Sequence, residues 1–183
     1  IAMASSLDQI GPIARCVDDA RIVFEAIRGQ DLLDATTVEP KIRNLKSEIR
    51  NPVVGVPKEY FSKGLDPEVE KIVRGAIKKC EGLGAEVKEI SLPHAAYALA
   101  VYYIVMPAEV SANLARFDGI RYGYSARDAK NLLEVYEKSR AEGFGPEAKR
   151  RVILGTYILS HGYYDAYYLK AQKVRRLIKD DFK

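Results

Sequence analysis

The sequence predicts an α/β fold whose second half is mainly helical. Two observations carry this. An apolar stretch fenced by prolines, Pro52 to Pro57, leads through an amphipathic helical pattern to a second β-like stretch, Glu86 to Leu92. Beyond Pro93 the strand signals stop and long helical patterns take over. No internal repeat or low-complexity linker separates the parts, so one domain is expected, with an α/β part over 1–93 and a mainly helical part over 94–183.

In chain order, Ile1 to Leu7 reads as a short strand or extended entry, and Gly11-Pro12 in the stretch after it imposes a turn. A helix is expected from near Val17, because Val17, Ala20, Val23, Phe24 and Ile27 recur at helical spacing. Asp18 and Asp19 suit its positive end and Gly29 supplies a stop. Gln30 to Asn51 is a charged connector without a period. Asp66-Pro67 then offers an N-cap and a first-turn proline to a helix whose stripe is Val69, Ile72, Val73, Ile77, Cys80 and Leu83. The strand, helix, strand order implies parallel pairing with a right-handed crossover. Ala95 to Arg116, Ala126 to Glu142 and Pro146 to Lys183 all read as helical. The last would span roughly 57 Å if continuous, so a break near Gly155 or Gly162 is expected.

With 48% hydrophobic and 30% charged residues in 183, the chain has the material for one sizeable core and is not expected to be disordered. Its longest apolar run, Ala95 to Met106, is interrupted by three tyrosines and is shorter than the roughly 20 residues of a membrane span, so no membrane partner is expected. Cys16 and Cys80 each fall on an apolar helical stripe, without a CxxC, and read as buried free thiols of a reducing cytosol. The net charge of +4 is modest and its basic residues are dispersed among acids. A start at Ile1 without an initiator Met, and an end at Lys183 inside an amphipathic pattern, lead us to expect a segment of a longer protein with open strand edges.

No phosphate loop, dinucleotide fingerprint, zinc spacing or GxSxG elbow is present, so no metal or cofactor site is expected within the chain. His94 and His161 read as packed or capping residues. In Gly143-Phe144-Gly145-Pro146-Glu147-Ala148-Lys149-Arg150-Arg151, adjacent arginines fall in the first two turns of a helix, where they oppose its dipole. Either they form a solvated face with some Glu pairing, or one of them grips a carboxylate bidentately. Tyr102-Tyr103 and the tyrosines of 163–168 read as core or interface residues. The five Lys or Arg residues of Lys170 to Lys179 share a helix with the stripe Val174, Leu177 and Ile178, which is simpler as an amphipathic surface helix than as an RNA contact.

Several segments resemble, in order, the glutamine-hydrolysing A subunits of glutamyl-tRNA(Gln) amidotransferases, which are amidase signature enzymes. They are Ala4-Ser5-Ser6-Leu7-Asp8-Gln9-Ile10-Gly11-Pro12, the run Ser111 to Gly123 (SANLARFDGIRYG), Glu142 to Gly145 with Lys149-Arg150-Arg151, Leu154-Gly155-Thr156, and Ser160 to Tyr168. The resemblance covers nearly the whole chain.

It implies part of an amidase signature fold, a mixed central sheet flanked by helices. It also implies a serine, a second serine on a cis peptide and a lysine that attack the side-chain amide of glutamine, with backbone amides stabilising the oxyanion. These catalytic residues would precede Ile1, so none is assigned here, and Ser5-Ser6 is not the nucleophile motif. The segment alone is therefore expected to be inactive. Two substrate-binding residues carry over, Tyr102 and Arg151, with Tyr103 and Arg150 left open as neighbours; an acidic residue for the amino group of glutamine would lie beyond Lys183. The resemblance further implies partner subunits B and C, Glu-tRNA(Gln) reached through the complex, and ATP with Mg2+ at the B subunit. The other readings are a different amidase signature hydrolase and a non-catalytic scaffold or binding domain.

Overall fold

A computed structural model describes residues 1–35, 37 and 51–183, so most of the charged connector lies outside the described residues. The chain divides into two compact units, Ile1–Ser47 with Glu109–Gly155, and Glu48–Ala108 with Thr156–Lys183.

The second unit holds the strand, helix, strand motif. Strands β1 (Val53–Pro57) and β2 (Glu86–Ile90) pair in parallel, from Val53 opposite Glu86 to Pro57 opposite Ile90. At Gly55 the strands pack closely, since a Cβ on it would lie 2.9 Å from the Cδ1 end of the Ile90 side chain, which would have to shift to admit one. Helix α1 (Val17–Ile27) belongs to the first unit; helix α2 (Pro67–Gly82) makes the crossover from β1 to β2. Asp66 caps α2 as its sequence requires, with Oδ1 accepting from the Glu68 and Val69 amides at 2.8 and 3.1 Å. A 3-10 turn, Lys58–Phe61, follows β1 and delivers Glu59, whose carboxylate accepts from the Leu92 amide (2.9 Å) and the Ser91 hydroxyl. Those bonds, the Leu92 amide first, hold the Glu59 carboxyl below its usual range.

Helix α3 (Ala98–Asn113), with 3-10 turns at Ala95–Tyr97 and Leu114–Arg116, fills the expected helical span. Its apolar run is longer than the 95–106 read from the sequence. The tyrosines and Pro107 do not interrupt the helix, and 95–116 has the length and composition of a membrane-crossing helix. Val101, Val105, Met106, Pro107, Ala108, Val110 and Leu114 are buried within the protein, while Tyr97, Leu99, Tyr102 and Tyr103 are exposed, so a third of the apolar window is covered. The Pro146 to Lys183 pattern breaks near Gly162 (φ +86°), giving α5 (Pro146–Leu159), a π-helical segment (Tyr164–Leu169) and α6 (Lys170–Asp180).

Three expectations are corrected. Ile1 to Leu7 is a set of bends and turns, because the Asp8 carboxylate folds back to accept from the Met3 and Ala4 amides at 2.8 to 3.1 Å. Helix α4 spans Leu132–Gly143 and does not start at Ala126, since Asn131 caps it by accepting from the Glu134 amide at 2.9 Å. Cys16 and Cys80 are free but exposed, because α1 and α2 carry no buried residue and their apolar faces lie open.

Candidate functional site

The site is built at the start of α5. The α4–α5 turn, Gly143 to Gly145, holds Phe144 against Phe117, ring edge to ring face at 6.3 Å. Arg140 joins the same contact, its guanidinium 5.0 Å from the Phe144 ring while Nη1 donates to the Leu114 and Phe117 carbonyls at 3.0 and 2.9 Å. One arginine thus ties the end of the SANLARFDG run to the turn that launches α5. The adjoining cavity of about 320 Å³ is lined by groups such as Leu114, Phe117, Tyr124 and Phe144, none of them charged. Its apolar lining does not suit a zwitterionic amino acid.

On α5, Glu147 sits in the first turn, where its charge complements the dipole. Its two oxygens engage the two arginines one turn on: Oε1 accepts from Arg151 Nε at 2.6 Å and Oε2 from Arg150 Nη1. The Glu pairing foreseen for a solvated face is present, but the two arginines are not equivalent. The Arg150 side chain is 65% exposed and that of Arg151 only 25%. The bond from Arg151, against the opposing effect of desolvation, together with the charges of both arginines, holds the Glu147 carboxyl below its usual range.

Tyr102 lies on α3 in the second unit, half-exposed, with its ring 5.3 Å from Tyr103 in an edge-to-face contact. Arg151 belongs to the first unit. The downstream tyrosines form a half-exposed ladder, with Tyr157 and Tyr163 4.3 Å apart and Tyr167 stacked on Tyr163 at 5.9 Å. A hydrogen bond with Tyr163 pushes the Tyr157 hydroxyl up to about 12. His161 is exposed in its turn. His94 has a partner that no local pattern announces: its ring Nδ1 lies 2.8 Å from Asp181 Oδ1 and its amide donates to Oδ2 at 2.9 Å. Burial pushes the Asp181 carboxyl up, but the bonds from His94 outweigh it and leave it lowered. Among the described residues no cluster of three His, Cys, Asp or Glu side chains could hold a metal ion.

Residues 1–183 match the Amidase family throughout, and the chain belongs to that family. Within it, the chain is similar to the A subunits of glutamyl-tRNA(Gln) amidotransferases. It is 56% identical to the A subunit from Ruthia magnifica subsp. Calyptogena magnifica over 187 residues, covering 100% of this chain and 39% of the relative. Against the Heliobacterium modesticaldum protein it is again 56% identical, covering 100% and 38%. The crystal structure of the Thermotoga maritima glutamyl-tRNA(Gln) amidotransferase A subunit superposes with a TM-score of 0.65 at 40% identity, over 98% of this chain and 35% of that one. A crystal structure of an amidase at 24% identity superposes with a TM-score of 0.61 over 100% and 33%, which speaks for the fold alone. The chain thus has part of the amidase fold and spans about two fifths of the length of the relatives it matches.

Proposed function

We propose that this chain is the substrate-recognition part of the glutaminase subunit of a cytoplasmic tRNA-dependent amidotransferase. Arg151 holds the α-carboxylate of glutamine through its guanidinium fork, and the Tyr102 hydroxyl adds a hydrogen bond. The observation that carries the choice of arginine is the asymmetry on α5: Arg151 is the more buried member of the pair and is held at Nε, while Arg150 is turned to solvent. A planar bidentate donor fixes an amino acid's carboxylate better than an ammonium does. Similarity to amidotransferase A subunits along the whole of this chain supports glutamine as the donor.

The serine nucleophile, the bridging serine and the lysine base belong to sequence outside this segment, which alone is inactive. In the assembly, ammonia passes to the B subunit, where ATP and Mg2+ serve the amidation of Glu-tRNA(Gln), and the C subunit completes the complex. Because Arg151 grips a non-reacting part of the substrate, it contributes to glutamine-dependent turnover and not to the amidation step itself. In the assembled enzyme, Arg151→Lys is expected to lower kcat/KM for glutamine about 10- to 100-fold, the loss of one charge-assisted hydrogen bond. Amidation with ammonium chloride should survive. Equal losses with both nitrogen donors would show that Arg151 has a structural or interface role, and a donor-selective loss in Arg150→Lys instead would move the clamp by one residue.

A further inference from the structure

Two carboxylates grip the short link between β2 and α3, and both come from far along the chain. Glu59 takes the front of the link, accepting from the Ser91 hydroxyl and, at 2.9 Å, from the Leu92 amide, 33 positions away. Asp181, 87 positions from His94 at the end of α6, takes the back. Its Oδ2 accepts from the His94 amide at 2.9 Å, and its Oδ1 lies 2.8 Å from the His94 ring Nδ1. All of these residues belong to the second unit. The Asp181 side chain is only 7% exposed. Burying a carboxylate is costly, and Glu59 adds the repulsion of a like charge. An apolar residue of similar volume would avoid both effects. What the anion supplies instead is direction, since two charge-assisted bonds to one residue fix both the backbone and the ring of His94.

His94 opens the segment that leads to Tyr102. Its carbonyl accepts from the Tyr97 amide at 3.0 Å in the 3-10 turn, and α3 runs on from Ala98 through Tyr102. A shift of that first turn is carried along a hydrogen-bonded helix as a shift of the whole element. We propose that His94 and Asp181 are positioning residues for glutamine binding, their clasp fixing the start of α3 and so the place of the Tyr102 hydroxyl. This rests on the reading of Tyr102 as a substrate contact and is independent of which arginine holds the carboxylate.

The test compares Asp181→Asn, His94→Ala, His94→Asn and Tyr102→Phe in the assembled enzyme, with the first two also combined singly with Tyr102→Phe. Each is assayed with glutamine and with ammonium chloride. Tyr102→Phe, which removes one neutral hydrogen bond, is expected to raise KM for glutamine about three- to tenfold. Asp181→Asn and His94→Ala should each raise it about threefold or more, but no further than Tyr102→Phe does, with the ammonium reaction within about twofold of wild type. His94→Asn keeps a side-chain N–H donor and should lie closer to wild type than His94→Ala. In the Tyr102→Phe background neither clasp variant should raise KM again, because the clasp acts through that hydroxyl. Equal losses with both nitrogen donors, an unchanged KM, a His94→Asn protein no better than His94→Ala, or full additivity with Tyr102→Phe overturns the positioning role and leaves Tyr102 standing. If Asp181→Asn does not assemble, the two His94 variants decide the question by the same criteria. A Tyr102→Phe enzyme with unchanged KM for glutamine overturns the reading of Tyr102, and the positioning role falls with it.

Discussion

Gly119, within the SANLARFDG run, is the position where one methyl group should do most damage. Its φ of +83° lies in the left-handed region, where a side chain costs about 1–2 kcal/mol. The space is also occupied: a Cβ on Gly119 would lie 2.6 Å from the Cβ of Ser139 and on top of its hydroxyl. Ser139 is 3% exposed and cannot swing away freely, because its Oγ accepts from the buried Ala126 amide at 2.9 Å. Making room costs about 1–3 kcal/mol, either as overpacking or as an unsatisfied buried amide. Together, Gly119→Ala should destabilise by about 2–5 kcal/mol. At about 2–4 °C per kcal/mol for a unit of 150–250 residues, the melting transition of a unit the size of this 183-residue chain should fall by roughly 4–20 °C. Gly75→Ala is the matched control, since nothing lies within 4 Å of its added Cβ inside α2 and the change should stabilise by about 0.5–1 kcal/mol. The two variants are read by thermal unfolding under one set of conditions. A Gly119→Ala protein as stable as wild type would refute the packing of the 117–131 loop on Ser139.

Asp66→Ala removes both cap bonds at the start of α2 and should cost about 1 kcal/mol, seen as lost amide protection in the first turn of α2, while Asp66→Asn should retain most of it. Glu59 provides a pH test. Its folded carboxyl titrates below the ordinary 4.5, so its stabilisation is complete above 4.5 and is lost as the pH falls through the lower folded value. Protection of the Leu92 amide, corrected for intrinsic exchange, should therefore be flat from pH 7 to about 5 and decline only below 4.5, and a Glu59→Gln protein should lack that decline. A wild-type profile unchanged down to pH 3 would contradict the tether.

What the sequence made legible is what short-range chemistry decides. Asp66-Pro67, the period of α2, the prolines around β1 and the break at Gly162 each act within a few residues of themselves, and each element formed where its signal lies. The Glu147 fork belongs to the same class, because i, i+3 and i+4 spacing alone brings one carboxylate to two arginines. Which of the two arginines is the more buried was not legible, since periodicity is blind to the difference between 25% and 65% exposure. The start of the chain misled because an apolar run implies a strand only until a nearby acid offers its amides a better partner, as Asp8 does for Met3 and Ala4. His94 and Asp181 are beyond any local reading, separated by 87 positions and joined only when α6 returns.

The exposed cysteines make the general limit explicit. Helical spacing put Cys80 on the stripe of α2, where it lies, but Cys16 is the extended N-cap residue of α1 and not part of its stripe, and Val17, Ile22, Phe24, Ile27, Val69 and Ile72 on those helices are themselves exposed. A period identifies which face of a helix favours burial, whereas burial itself is decided by what packs on that face, and that information lies in other parts of a fold. The contact of Glu147 with Arg151 is of the local kind, because i, i+4 spacing within α5 is enough to make it. What either arginine does for a substrate is decided by the donor-selective kinetics of the Arg151 and Arg150 variants, which bear on the proposed clamp directly.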